Sequence, residues 1–170
     1  IDLAVLRSDV RSAETRLAKV LETAFSRAPD TERVSLVAGY LAESSTTLRL
    51  LGLKFAQLHL AAGKSLPSEM QERVREFLAS TEPREQAAAV RTVAALRDPR
   101  DADRFMEMLP NARSRDVRLA LLNGLGHVGT SAAVDILVHI LSETDEPGAT
   151  EAVAALGRLA ERNVLADDQR

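Results

Sequence analysis

The sequence predicts an all-α fold, a stack of antiparallel helix pairs with about nine helices. Three observations carry this expectation. Apolar residues, mostly Ala and Leu, recur at helical spacing through most of the chain, while β-branched runs are scarce and aromatics make up only 3% of residues. All six prolines (Pro29, Pro67, Pro83, Pro99, Pro110 and Pro147) fall at the edges of these periodic segments, where a missing N–H and a fixed φ do least harm. Finally, Ala95-Leu96, Gly124-Leu125 and Ala155-Leu156 occupy equivalent places, 29 and 31 residues apart. Such a period marks repeated helical hairpins, each too small to bury its own apolar face.

Residues 1–28 carry one long helical pattern. Leu3, Val10, Leu17 and Ala24 repeat every seven, with Leu6, Ala13 and Val20 between them, which makes a seam along one face. Two readings fit: the first helix of the stack, or the end of a coiled coil arriving from upstream. Pro29 and Asp30 break the pattern, and Thr31 is placed as the N-cap of a helix to about Glu43, with Val34, Val37, Ala38 and Leu41 on one face. After the polar turn 44–47, a helix over 46–62 carries Leu48, Leu51, Phe55, Leu58 and Ala62, and Gly63 ends it. Leu66-Pro67-Ser68-Glu69 opens the next, which runs to about Ala79 on Met70, Val74, Phe77 and Leu78.

From there the period is explicit. Helices are expected over 83–97, 101–109 and 114–125, on Val90 and Ala94, on Phe105 and Leu109, and on Val117, Leu121 and Leu125. Ser114 is placed as a cap, and Gly126 to Thr130 as a turn. Two more follow, over 131–142 on Ala133, Ile136, Leu137 and Ile140, and from Pro147 on Ala152, Val153, Leu156 and Leu159. The expected organisation is therefore an N-terminal helix (1–28), a repeat stack (29–162) and a polar tail (163–170).

Composition narrows the function. The net charge of -3 argues against nucleic acid, because neutralising phosphates needs clustered Lys and Arg. With no Cys, disulfides, zinc–thiolate sites and cysteine nucleophiles are excluded. No apolar run approaches the ~20 residues of a membrane span, so direct membrane insertion is not expected. A start at Ile1 without a signal-peptide pattern is what a piece of a longer protein or a mature form would show. The compartment is left open.

The segment DVRLALLNGLGHVG (116–129) followed by SAAVDILVHIL (131–141) resembles a HEAT-like repeat of the short bacterial type, shared by phycobilin lyases and many scaffold proteins. In such repeats Asp-Val-Arg opens the first helix and Leu-Gly closes it; here these are Asp116, Val117, Arg118, Leu125 and Gly126. Residues 85–99 and 148–159 are weaker copies, with Ala89 and Ala149 near the place of Arg118. The resemblance implies an α-α superhelix. It also implies that Arg118 bonds a neighbouring helix end or carboxylate and holds repeats in register. A shared fold leaves the function to be argued from the site.

Gly124-Leu125-Gly126-His127-Val128-Gly129 matches the dinucleotide pattern G-x-G-x-x-G, but the residues before it have helical period where the mechanism needs a strand. Packing and turn glycines are the better reading. Asp135 and His139 are four apart, the spacing of a metal or acid–base pair, but no third ligand accompanies them and a surface pair is expected. His59 and His127 read as helix-end residues. No catalytic, metal or cofactor constellation emerges.

Charge by helix is more informative. The segments 83–97 and 113–127 lean basic through Arg84, Arg91, Arg97, Arg113, Arg115 and Arg118, whereas 68–79, 100–109 and 130–143 lean acidic. Aligned by their apolar ends, the acidic-leaning helices place Glu76, Glu107 and His139 in one row and Glu72, Asp103 and Asp135 in a second. These six residues are the expected partner-binding stripe on the concave side, against the alternative of an ordinary solvated face. The expected function is a non-catalytic scaffold that binds another protein or a basic peptide. A phycobilin-lyase-like enzyme would want aromatics that the chain lacks, and a nucleic-acid-binding repeat would want the opposite charge on this face. The N-terminal helix or the open end of the stack also offers a route to a homodimer.

Overall fold

Residues 16, 17, 19–143 and 146–162 are described in a computed structural model of the chain. The upstream seam positions Leu3, Leu6, Val10 and Ala13 and the tail from Asn163 lie outside them. Every regular element among the described residues is a helix. Residues 19–27 lie in α1. There follow α2 (Asp30–Leu41), α3 (Thr46–Ala61), α4 (Ser68–Glu76), α5 (Pro83–Leu96), α6 (Asp101–Met108), α7 (Arg115–Val128), α8 (Ser131–Glu143) and α9 (Glu146–Glu161). Short 3-10 turns, Phe77–Ala79 and Leu109–Asn111, extend α4 and α6.

Several ends differ from expectation. α2 starts at Asp30, with Pro29 in the capping position, so Thr31 lies inside the helix. Asp30 and Glu32 place carboxylates beside the free N–H groups of the first turn, which favours an earlier start. Ser114 does occupy the capping position of α7, yet its side chain makes no capping bond. α3 ends as expected at Gly63: its φ of +75° lets its N–H reach the Leu60 carbonyl (2.9 Å) and the Lys64 N–H reach that of His59 (3.3 Å), a Schellman closure. α5 ends on Arg97 at φ 57°, the one described residue other than glycine with positive φ.

The helices form two rows. α3, α5, α7 and α9 make one continuous row, each packed along the next, and the α5–α7 and α7–α9 contacts are the most extensive described. α2, α4, α6 and α8 lie on the other side, with lighter contacts between α2 and α4 and between α6 and α8. Each helix of the second row packs on the helix that follows it: α2 on α3, α4 on α5, α6 on α7, α8 on α9. The repeat unit read from the sequence, α7 with α8, is thus divided between two packed pairs. Short connections between packed partners make each pair antiparallel.

The core lies between the rows. Phe105, Leu121, Leu125, Leu137, Ala155 and Leu159 are all fully buried. α5 carries Ala87, Ala88, Ala89, Val90, Val93 and Ala94 as buried residues, so small side chains let it sit close to α3 on one flank and α7 on the other. Polar ties join neighbours in the first row: Arg49 of α3 bonds Glu85 of α5, Gln57 donates to Thr92 Oγ1 (2.9 Å), and Asn123 donates to Glu151 (2.6 Å). Arg118 forms no ion pair among the described residues, so register is held by other pairs than the one the resemblance implied.

In the N-terminal helix the face that packs on the stack is not the seam. The expected seam residues Leu17 and Val20 stand 56% and 63% exposed. α1 instead docks through Leu21 and through Phe25, whose ring stacks on Phe55 of α3 with centroids 4.3 Å apart. The aromatic ring supplies more buried area than the Leu and Val of the seam, and it decides which face turns inward.

Candidate functional site

α2 and α4 diverge enough to leave a groove of ≈ 730 Å³ between them. Its geometry follows from the periodicity of both helices. On α2, Val34, Ala38 and Leu41 recur at i, i+4 and i+7 and line one side. On α4, Met70 faces the groove while Val74 turns fully into the core. Between these apolar positions Glu69, Glu72, Arg73 and Glu76 point outward along the rim.

The rim is net negative. Glu72 and Glu76 keep side chains 70% and 61% exposed, so both carboxylates are hydrated. Glu76 pairs with Arg73, whose guanidinium also lies over the Phe77 ring at 5.4 Å. Glu72 accepts from Arg75 at 2.7 Å. Arg75 has little positive charge to spare for it. The same buried guanidinium makes two bonds to Asp101 (2.8 and 2.9 Å) and one to Asp98 (3.1 Å). Asp101 above all raises the Arg75 pKa and keeps it protonated. Arg100, hydrogen-bonded to Asp98, holds that carboxyl down at about 2. Glu69 has no ion-pair partner among the described residues.

Two of the six predicted stripe residues, Glu72 and Glu76, therefore line this groove. The other four do not: Asp103 and Glu107 are exposed on α6, and Asp135 and His139 are exposed on α8. α4 meets α6 through the Arg75–Asp101 pair. Sequence reasoning left out Glu69 and the apolar floor. The signal was available, since Glu69, Glu72 and Glu76 share one helix face at i, i+3 and i+7.

The remaining candidates take structural places. Gly124 and Gly126 lie inside α7, which runs on to Val128, so Leu125-Gly126 does not close the helix. A Cβ on Gly124 would stand 2.7 Å from the Phe105 ring, and one on Gly126 2.9 Å from the Ala155 backbone. These glycines let α6 and α9 approach α7, which corrects the turn expected at Gly126. His59 is buried in the last turn of α3, with Nε2 3.3 Å from the Ser65 carbonyl. Burial, with Arg158, Arg97 and Arg162 nearby, holds the pKa of His127 below its usual value. Among the described residues no group of three His, Asp or Glu is placed to hold a metal ion, and no helix is long and apolar enough to cross a membrane.

The chain matches no family model and no curated protein sequence.

Proposed function

We propose that the chain is a non-catalytic binding module, built as a HEAT-like superhelix, that receives a basic amphipathic segment of a protein partner in the groove between α2 and α4. The observation that carries this reading is the groove itself: an apolar floor of Val34, Leu41 and Met70 beneath a net-negative rim of Glu69, Glu72 and Glu76 with Arg73. Apolar area supplies affinity, and the carboxylates select a cationic ligand and fix its register. The exposed acids of α6 and α8 extend the negative field beyond the groove and steer a cationic partner towards it.

The test uses a fluorescent helical peptide of Leu and Lys at amphipathic spacing, followed by anisotropy. Wild type should bind it with an affinity that falls as salt rises. Reversing Glu69 and Glu76 to Lys should weaken binding by about tenfold or more while the thermal melt stays in place. Reversing Asp103 and Glu107 should slow association and leave dissociation nearly unchanged. Equal affinity for the wild type and the groove variant would rule the reading out.

A further inference from the structure

We infer that a second copy of this chain supplies a ligand for the groove: the outer face of α1 in one molecule docks between α2 and α4 of another. The inference rests on the proposed reading of the groove as a receptor for a basic amphipathic helix.

The two faces of α1 are of opposite kinds. The inner one is committed, with Phe25 2% exposed and stacked on Phe55 and with Arg33 over the same ring. The outer one is an uncovered apolar ridge, Leu17, Val20 and Ala24, at helical spacing. Arg16, Lys19 and Arg27 flank it, all exposed. Glu22, the one carboxylate between residues 16 and 27, is bonded to Lys54 of α3 at 2.5 Å and so drawn off the ridge. The chain thus presents the ligand that its own groove would select.

The dimensions agree. Leu17 to Ala24 and Glu69 to Glu76 are eight residues each, seven helical steps or about 10 Å along a helix axis. Charge decides between occupants. Two ridges laid together would set Arg16, Lys19 and Arg27 against the same cations, whereas the groove offers Glu69, Glu72 and Glu76 with Arg73 as its one cation. The ridge does not fill the groove of its own molecule: the inner face of α1 is pinned to α3 by the Phe25–Phe55 stack, Leu17 and Val20 stay exposed, and neither lines the groove. The contact joins two different surfaces, so it is head-to-tail and builds a ring or an open chain.

Sedimentation velocity on the whole chain, over a concentration series to about 1 mM, reads the association directly. Wild type should grow in mass with concentration. Lys19→Glu with Arg27→Glu reverses the ridge charge, and Glu69→Lys with Glu76→Lys reverses the groove charge. Each variant alone should remain monomeric, with an unshifted melt. An equimolar mixture of the two should associate again, because the ridge of one then meets a groove of opposite sign in the other. A wild type that stays monomeric overturns the inference, as does association that survives groove reversal, the result expected if the copies pair through the seam upstream of Leu17. The Leu/Lys peptide separates the two failures. If it binds a chain that stays monomeric, the groove reading stands and this inference falls; if it does not bind, the groove reading falls as well.

Discussion

Gly124 and Gly157 are both helical and would seem interchangeable in a sequence, but their surroundings give one methyl group opposite effects. Alanine in place of a mid-helix glycine gains about 1 kcal/mol from backbone entropy alone. At Gly157 the added carbon meets nothing within 4 Å, so Gly157→Ala should raise the melting temperature by that amount of stability. At Gly124 the carbon would stand 2.7 Å from the Phe105 ring, which is fully buried and has nowhere to go. Overpacking of this kind costs about 1–3 kcal/mol and outweighs the propensity gain, so Gly124→Ala should lower the melting temperature. Thermal melts of the two variants check both signs. The sequence identified the segment 124–129 as packing and turn glycines; Gly124 and Gly126 do pack, but Gly126 lies inside α7 and not in a turn. It could not identify Phe105 and Ala155 as the groups they accommodate, because those contacts cross between helices.

At the scale of elements, the join between α4 and α6 is a buried ion pair. Arg75 leaves the C-terminal half of α4 and grips Asp101 at the first position of α6, where the carboxylate also faces the positive helix end. Arg75→Met would strand a buried carboxylate and should cost about 3–5 kcal/mol in a denaturant titration. Arg75→Met with Asp101→Leu removes both charges and should recover most of that loss. Recovery measures how much of the penalty is the uncompensated charge rather than the bond itself. In the sequence Asp101 is one of the residues by which the segment 100–109 leans acidic. Its partner lies 26 residues away, on a different helix. Helix faces were legible only where polar residues outline them. α3 is apolar almost all round, so spacing alone placed Leu58 on the packed face, while the structure leaves it 39% exposed and buries Leu53, Ala56 and His59. α1 had the same ambiguity, and Phe25 resolved it.

In the whole molecule, α5 and α7 are the middle of the packed row and each is covered on both flanks. Stability in such a stack is close to a sum over neighbours, so helices packed on both flanks are the best supported. Amide hydrogen exchange should therefore be slowest in α5 and α7 and faster in α2 and α8, whose contacts within their own row are few. Equal protection along the chain would mean that the stack opens as a single unit. The fold class was legible because prolines, glycines and apolar spacing all agree on the same helices. The groove was half legible: its acids share a helix with visible spacing, but its floor joins α2 to α4, residues that only the packing of two hairpins brings together.

Tyr40 gives this arrangement an optical consequence. The chain has one tyrosine and no tryptophan, and the ring of Tyr40 sits edge-on to Phe55, 5.6 Å between centroids, on the same phenylalanine that anchors α1. Ultraviolet emission from this protein excited near the red edge of the phenol band comes from a single spot, the corner where α1, α2 and α3 converge. Without any label, the light emitted by the unaltered molecule reports on the end of the stack that carries both the ridge and the groove, and is silent about the rest.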